Sequence, residues 1–156
     1  MVSKNNNMEF QSYPLIFLRE IEKKHKINID AEYNSFVLEN PFVAKMNVNT
    51  QIQDTITCCA IEFSIPVSDV IGKTRKREVV LLRQLLMTYF YIKFPMSLQA
   101  IGNQFGGRDH STVSHAKDTI SDLYLSNDGL LKFYLSTVEK YIDINLLKNA
   151  IKKENM

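Results

Sequence analysis

Between Ile101 and Ala116 the chain reads IGNQFGGRDHSTVSHA. A short apolar stretch stops at Gly106 and Gly107, and then Arg108, Asp109, His110, Ser111 and Thr112 arrive in a row. Apolar periodicity resumes at Val113. Five hydrogen-bonding side chains at the start of a helix suit the reading of base edges, because the first residues of the second helix of a helix-turn-helix enter the major groove. The same helix end offers unpaired N–H groups and positive potential to a phosphate. The ordinary alternative is that Asp109 or Ser111 merely caps a helix, the commoner use of both residue types.

A second cluster lies just upstream. Residues 73–117 carry Lys73, Arg75, Lys76, Arg77, Arg83, Lys93, Arg108 and Lys117 against only Glu78 and Asp109, while the flanking blocks are both net acidic. The whole chain is at +2. Positive charge is thus focused on one central block, as a polyanion-binding surface requires. A solvated basic helix face would produce the same count.

Other patterns fail on closer reading. Gly72-Lys73-Thr74 ends like a phosphate-binding P-loop, but Val67 stands where the earlier glycine is needed. No nucleotide is therefore expected. Ser114 and Lys117 satisfy S-x-x-K without the partner motifs of that hydrolase class. His110 and His115 are five residues apart and have no acidic or cysteine partner nearby, so no metal site is expected. Cys58 and Cys59 are chain neighbours on an amphipathic stretch and read as small core residues. Tyr89, Phe90 and Tyr91 read as core and helix surface rather than a base-stacking platform. No catalytic residue and no cofactor are expected.

These side chains need helices to hold them. Apolar spacing predicts a short helix over 12–25. Residues 27–48 stay undecided between hairpin, helix and arm, with Pro41 interrupting any long helix. Ile52, Ile56, Cys59, Ala60 and Phe63 share one face of a helix over 50–63. A short turn of helix over 67–71 ends at Gly72, and a long apolar helix over 77–93 breaks at Phe94-Pro95. Ser97 is a candidate N-cap for a helix through Gln104, and Gly106 its left-handed terminator. The next helix runs from about Asp109 to Leu125, and Ile101, Phe105, Val113, Ala116 and Ile120 should pack the pair together. His110, Ser111, Ser114, His115 and Lys117 face the other way. Helices over 130–142 and 144–153 follow an Asn127-Asp128-Gly129 turn, and the last is expected to fray.

At 156 residues, 45% hydrophobic and 23% charged, the composition is that of a globular protein with one real core. No apolar run approaches a membrane span. The polar, Asn-rich stretch Met1 to Met8 is unlike a secretory signal.

Phe105-Gly-Gly-Arg-Asp-His-Ser-Thr-Val113 with His115-Ala116 resembles the box-recognition motif of the DNA-binding domain of DnaA, the bacterial replication initiator. Lys73-Thr-Arg-Lys-Arg77, Arg83-Gln84, Ser97-Leu98 and Ile101-Gly102 extend the likeness without a gap over about 49–142. Leu82, Tyr91 and Gln99 depart from it: the family often has proline, a basic residue and proline there. The resemblance implies that Arg75 reads bases in the minor groove and that Asp109, His110 and Ser111 read them in the major groove. There a carboxylate can accept from cytosine N4, and Leu98 can meet a thymine methyl. It also implies that Lys73, Arg77, Arg83, Gln84, Thr112 and His115 hold phosphates. For Arg108 a phosphate contact, a pair with Asp109 and a carbonyl cap that fixes the turn carry equal weight.

The expectation is an all-α protein: a small helical bundle with a DnaA-like helix-turn-helix over 49–142. An extension over 1–48 and a C-terminal helix or tail over 143–156 flank it. It should bind double-stranded DNA without ATP hydrolysis, in the cytoplasm on the nucleoid, with residues 1–48 available to a protein partner. A protein–protein adaptor keeping the fold is the second reading, and a hydrolase built on Ser114 and Lys117 a distant third.

Overall fold

The computed structural model describes residues 22–26, residue 28 and residues 41–156. The described residues are helical without a strand. The chain divides into two compact units, residues 1–58 and 59–156. In the first, residues 22–25 are helical and Lys26 closes them in the left-handed region at φ 53°. The rest of the helix expected over 12–25, and most of the segment 27–48, lie outside the described residues.

Helix α1 (Pro41–Glu62) begins earlier than the sequence suggested. Pro41 does not interrupt a helix but starts one, because a first-turn residue needs no intrahelical N–H. The helix continues through the boundary expected at 48/49. Ile52, Ile56, Cys59 and Ala60 are fully buried, and Cys58 nearly so. Phe63 falls in the terminating turn, where Ser64 takes φ 53° and Ile65 N donates to Ala60 O at 2.9 Å.

The second unit is arranged around α3 (Arg77–Lys93), which buries Val79, Leu81, Leu82, Leu85, Leu86, Met87, Tyr89 and Phe90. A helix apolar on nearly every side must be surrounded. Helices α2 (Val67–Ile71), α4 (Leu98–Gln104), α5 (His110–Leu125) and α7 (Ile144–Glu154) all pack on it. Phe94 ends α3 with extended dihedrals ahead of Pro95, as the proline demands. Helix α6 (Gly129–Val138) is capped by Asp128, whose carboxylate accepts from Leu131 N at 2.9 Å. It stops four residues short of the expected 142, because Tyr141 N and Ile142 N both turn back to Val138 O. Tyr134 of α6 donates to Glu78 O at the start of α3 (3.0 Å).

The last helix is not frayed. Asp143 caps α7 through Leu146 N, its own N–H donates to the Tyr89 hydroxyl at 3.1 Å, and Leu147 and Ile151 are buried. Segment 143–156 is therefore part of the bundle.

Candidate nucleic-acid interface

The pair α4–α5 forms from local signals that agree. Ser97 accepts from Ala100 N (3.1 Å) as the N-cap of α4, and Phe105 closes it by donating to Gly102 O at 3.0 Å. Gly106 and Gly107 then turn the chain at φ 78° and 75°, a conformation open to glycine at little cost. Ile101, Phe105, Val113, Ala116 and Ile120 are all buried. Phe105 stacks at 6.0 Å on Phe90 of α3, so the pair is seated on the central helix.

That seating leaves the other side of α5 open. Asp109, His110, Ser111 and His115 are exposed, and Thr112, Ser114 and Lys117 are half-buried. Lys73, Arg75 and Lys76 are exposed on the loop before α3 and Arg77 at its first position, while Gln84 and Leu98 are half-buried. Tyr89 and Phe90 are core, and Tyr91 carries the Lys117 ammonium 4.1 Å above its ring.

Asp109 is the N-cap of α5. Its Oδ1 accepts from Ser111 Oγ (2.7 Å), Thr112 N (2.9 Å) and Thr112 Oγ1 (2.9 Å). These donors, Ser111 first, pull its pKa down from 3.8 to about 2, so it is a carboxylate at any physiological pH. The same bonds bear on Thr112. Its hydroxyl proton is already given to Asp109, so a phosphate would meet it as a donor only after that bond is exchanged.

Arg83 is a correction. It was expected against a phosphate, yet it is 4% exposed. Its Nε donates to Val70 O (2.6 Å) and its Nη2 to Asp69 O (2.8 Å) and Thr74 O (3.1 Å). The last carbonyls of α2 have no helical partner, and a cation at a helix C-terminus is well placed. Burial, and then the charge of Arg108, lower its pKa, with Asp69 opposing them. For Arg108 the carbonyl cap is the reading realised: Nη2 donates to Gly72 O, and Nε is buried with no hydrogen-bond partner.

The bacterial DnaA helix-turn-helix family matches residues 51–120, from within α1 into α5. This segment is a DnaA-type helix-turn-helix. The chromosomal replication initiator DnaA of Oenococcus oeni is 38% identical over 98 residues, 62% of this chain and 21% of that protein. DnaA of Levilactobacillus brevis is 35% identical over 102 residues, 65% of this chain and 20% of that protein. DnaA of Aromatoleum aromaticum is 44% identical over 79 residues, 51% of this chain and 16% of that protein. The chain spans about a fifth of the length of the curated relatives it matches. No solved structure gives a significant match.

Among the described residues no group of three or more His, Cys, Asp or Glu could hold a metal, and no helix is long and apolar enough to cross a membrane. Within the DnaA-type domain two positions had no assigned role in the sequence reading. A Cβ at Gly102 would overlap Arg108 O, so glycine there lets α4 touch the turn before α5 through backbone. Gln99, where the family often has proline, donates to Arg108 O at 3.3 Å and to Asn103 Oδ1 at 3.1 Å. Gly102 carried a signal, being a glycine inside a helical stretch; Gln99 carried none.

Proposed function

We propose that this protein binds double-stranded DNA sequence-specifically, at sites resembling the DnaA box, and regulates replication or transcription by occupying them without hydrolysing ATP. The observation that carries this reading is the two-sidedness of α5. Its apolar face is sealed in the core while Asp109, His110, Ser111 and His115 stand exposed, in the same unit as an exposed basic stretch of Lys73, Arg75 and Lys76 on the loop and Arg77 at the start of α3. A helix supported this way can lie in the major groove with its first turn toward the bases.

In this reading Asp109, His110 and Ser111 meet base edges in the major groove, Leu98 a thymine methyl, and Arg75 the minor groove. Lys73, Arg77, Gln84, Thr112 and His115 hold phosphates, which fix position without specifying sequence. Asp109 serves two purposes through two atoms: the helix cap converges on Oδ1, and Oδ2 is the acceptor for a cytosine amino group. A cytoplasmic, nucleoid-bound protein follows from this function.

Fluorescence anisotropy on a TTATCCACA duplex and a scrambled duplex, across a salt series, tests it. A preference that persists at physiological salt supports base readout. Weak, equal and steeply salt-dependent binding to both would leave only counterion release and end the sequence-specific reading.

A further inference from the structure

Two guanidinium groups lie together behind the basic loop, and both are directed at backbone rather than solvent. Arg83 grips the carbonyls of Asp69 and Val70 at the end of α2 and that of Thr74 within the loop. Arg108, at the end of the helix-turn-helix turn, grips the carbonyl of Gly72. The two held carbonyls, Gly72 and Thr74, bracket Lys73 and stand immediately before Arg75. The turn itself is pressed against the same place, since a Cβ on Gly106 would overlap the carbonyl oxygen of Ile71. Thr74 Oγ1 donates to Asp69 Oδ1 at 3.3 Å and closes the loop onto α2.

Holding two cations side by side, Arg83 buried and Arg108 half-buried, is unfavourable unless their donors are answered. Here backbone carbonyls answer Arg83 Nε and Nη2 and Arg108 Nη2, leaving only Arg108 Nε buried without a partner, and those carbonyls belong to the loop and to the helix before it. We infer that Arg83 and Arg108 are positioning residues forming a clamp that holds the basic loop at a set distance from α5, so that loop and recognition helix engage DNA as one rigid reader. Arg83 ties the loop to the central helix, and Arg108 ties it to the recognition motif. The consequence for DNA rests on the proposed function; the clamp itself does not.

Arg83→Ala would leave three carbonyls unanswered in the interior and can simply prevent folding, so Arg108→Ala on the full chain is the working variant. The loop supplies its own probe, because Lys73, Arg75, Lys76 and Arg77 are trypsin sites. Losing a charge-assisted bond should raise native-state cleavage within 73–77 about tenfold, while cleavage after Lys93 and Lys117 stays at the native rate. Unchanged cleavage in the loop, or an equal rise at all sites, overturns the clamp.

A double-mutant cycle reads the coupling to DNA. With the loop released, Arg75→Ala should cost little further preference for the TTATCCACA duplex, about twofold or less. The same factor lost in both backgrounds would show that Arg108 does not act through the loop. A native chain with no preference at all would overturn the DNA reading instead, and the cleavage ratio would still decide the clamp.

Discussion

Asp109 sets the residue scale, because one carboxylate oxygen collects three donors within three residues of its own position. The pKa of about 2 lies below the ordinary 3.8, so the ionised form is the one that folding favours. The cap's contribution is therefore complete above about pH 4 and is lost as pH falls toward 2. Asn also caps helices but does not titrate. Asp109→Asn should flatten the loss of urea stability between about pH 4 and pH 2 while retaining most of the neutral-pH stability. An unchanged acid limb would assign the loss to other carboxylates. The side chains proposed to read bases should carry a different signature. Arg75→Ala or His110→Ala should each cost roughly 1–3 kcal/mol on the preferred duplex and much less on a scrambled one, read by anisotropy.

Among the elements, the turn between α4 and α5 rests on two glycines that differ in kind. Gly106 and Gly107 both take positive φ. A Cβ on Gly106 would meet Ile71 O, whereas one on Gly107 meets nothing. Gly107→Ala should therefore cost only the left-handed penalty, roughly 1–2 kcal/mol. Gly106→Ala should cost that and a further 1–3 kcal/mol or so of overpacking. Gly102→Ala drives a methyl into Arg108 O and pushes α4 away from the turn that leads into α5. Urea midpoints of the two turn variants should rank Gly107→Ala above Gly106→Ala; equal losses would mean that backbone strain, not contact with α2, governs the turn. The salt bridge between Lys140 and Glu62 (3.3 Å) involves an exposed lysine and contributes little by comparison.

For the molecule as a whole, charge is distributed by element rather than by total. A chain at +2 can still suit a polyanion because cations gather between Lys73 and Lys117, on the loop before α3, on α3 and on the helix-turn-helix, while the blocks on either side are net acidic. Each exposed lysine on that surface should release about one counterion on binding, so Lys73→Ala should make the log–log salt dependence shallower by about 1. Arg83, buried against carbonyls, is expected to leave that slope alone wherever its variants fold. A slope that changes for a folded Arg83 variant would return it to the phosphate-binding set.

The helices of the second unit were legible in the sequence because their signals are local: Ser97 as a cap, Gly106 as a terminator, Pro95 as a stop, and the apolar spacing of Ile101, Phe105, Val113, Ala116 and Ile120. The candidate reading face of α5 followed from the same periodicity. Helix ends without a strong local signal were misplaced, as at Pro41 and Val138, since proline opens a helix as readily as it breaks one and α6 closes on turn bonds to Val138 O. Tertiary structure alone decided the arginines. Lys73, Arg83 and Arg108 look alike as cations in a basic block, and nothing in their spacing says which carbonyls lie within reach. Only when α2, α3 and the turn converge does Arg83 find Asp69, Val70 and Thr74, and Arg108 find Gly72. Burial then turns Arg83, an expected surface charge, inward, because an interior guanidinium stays where backbone acceptors replace its water.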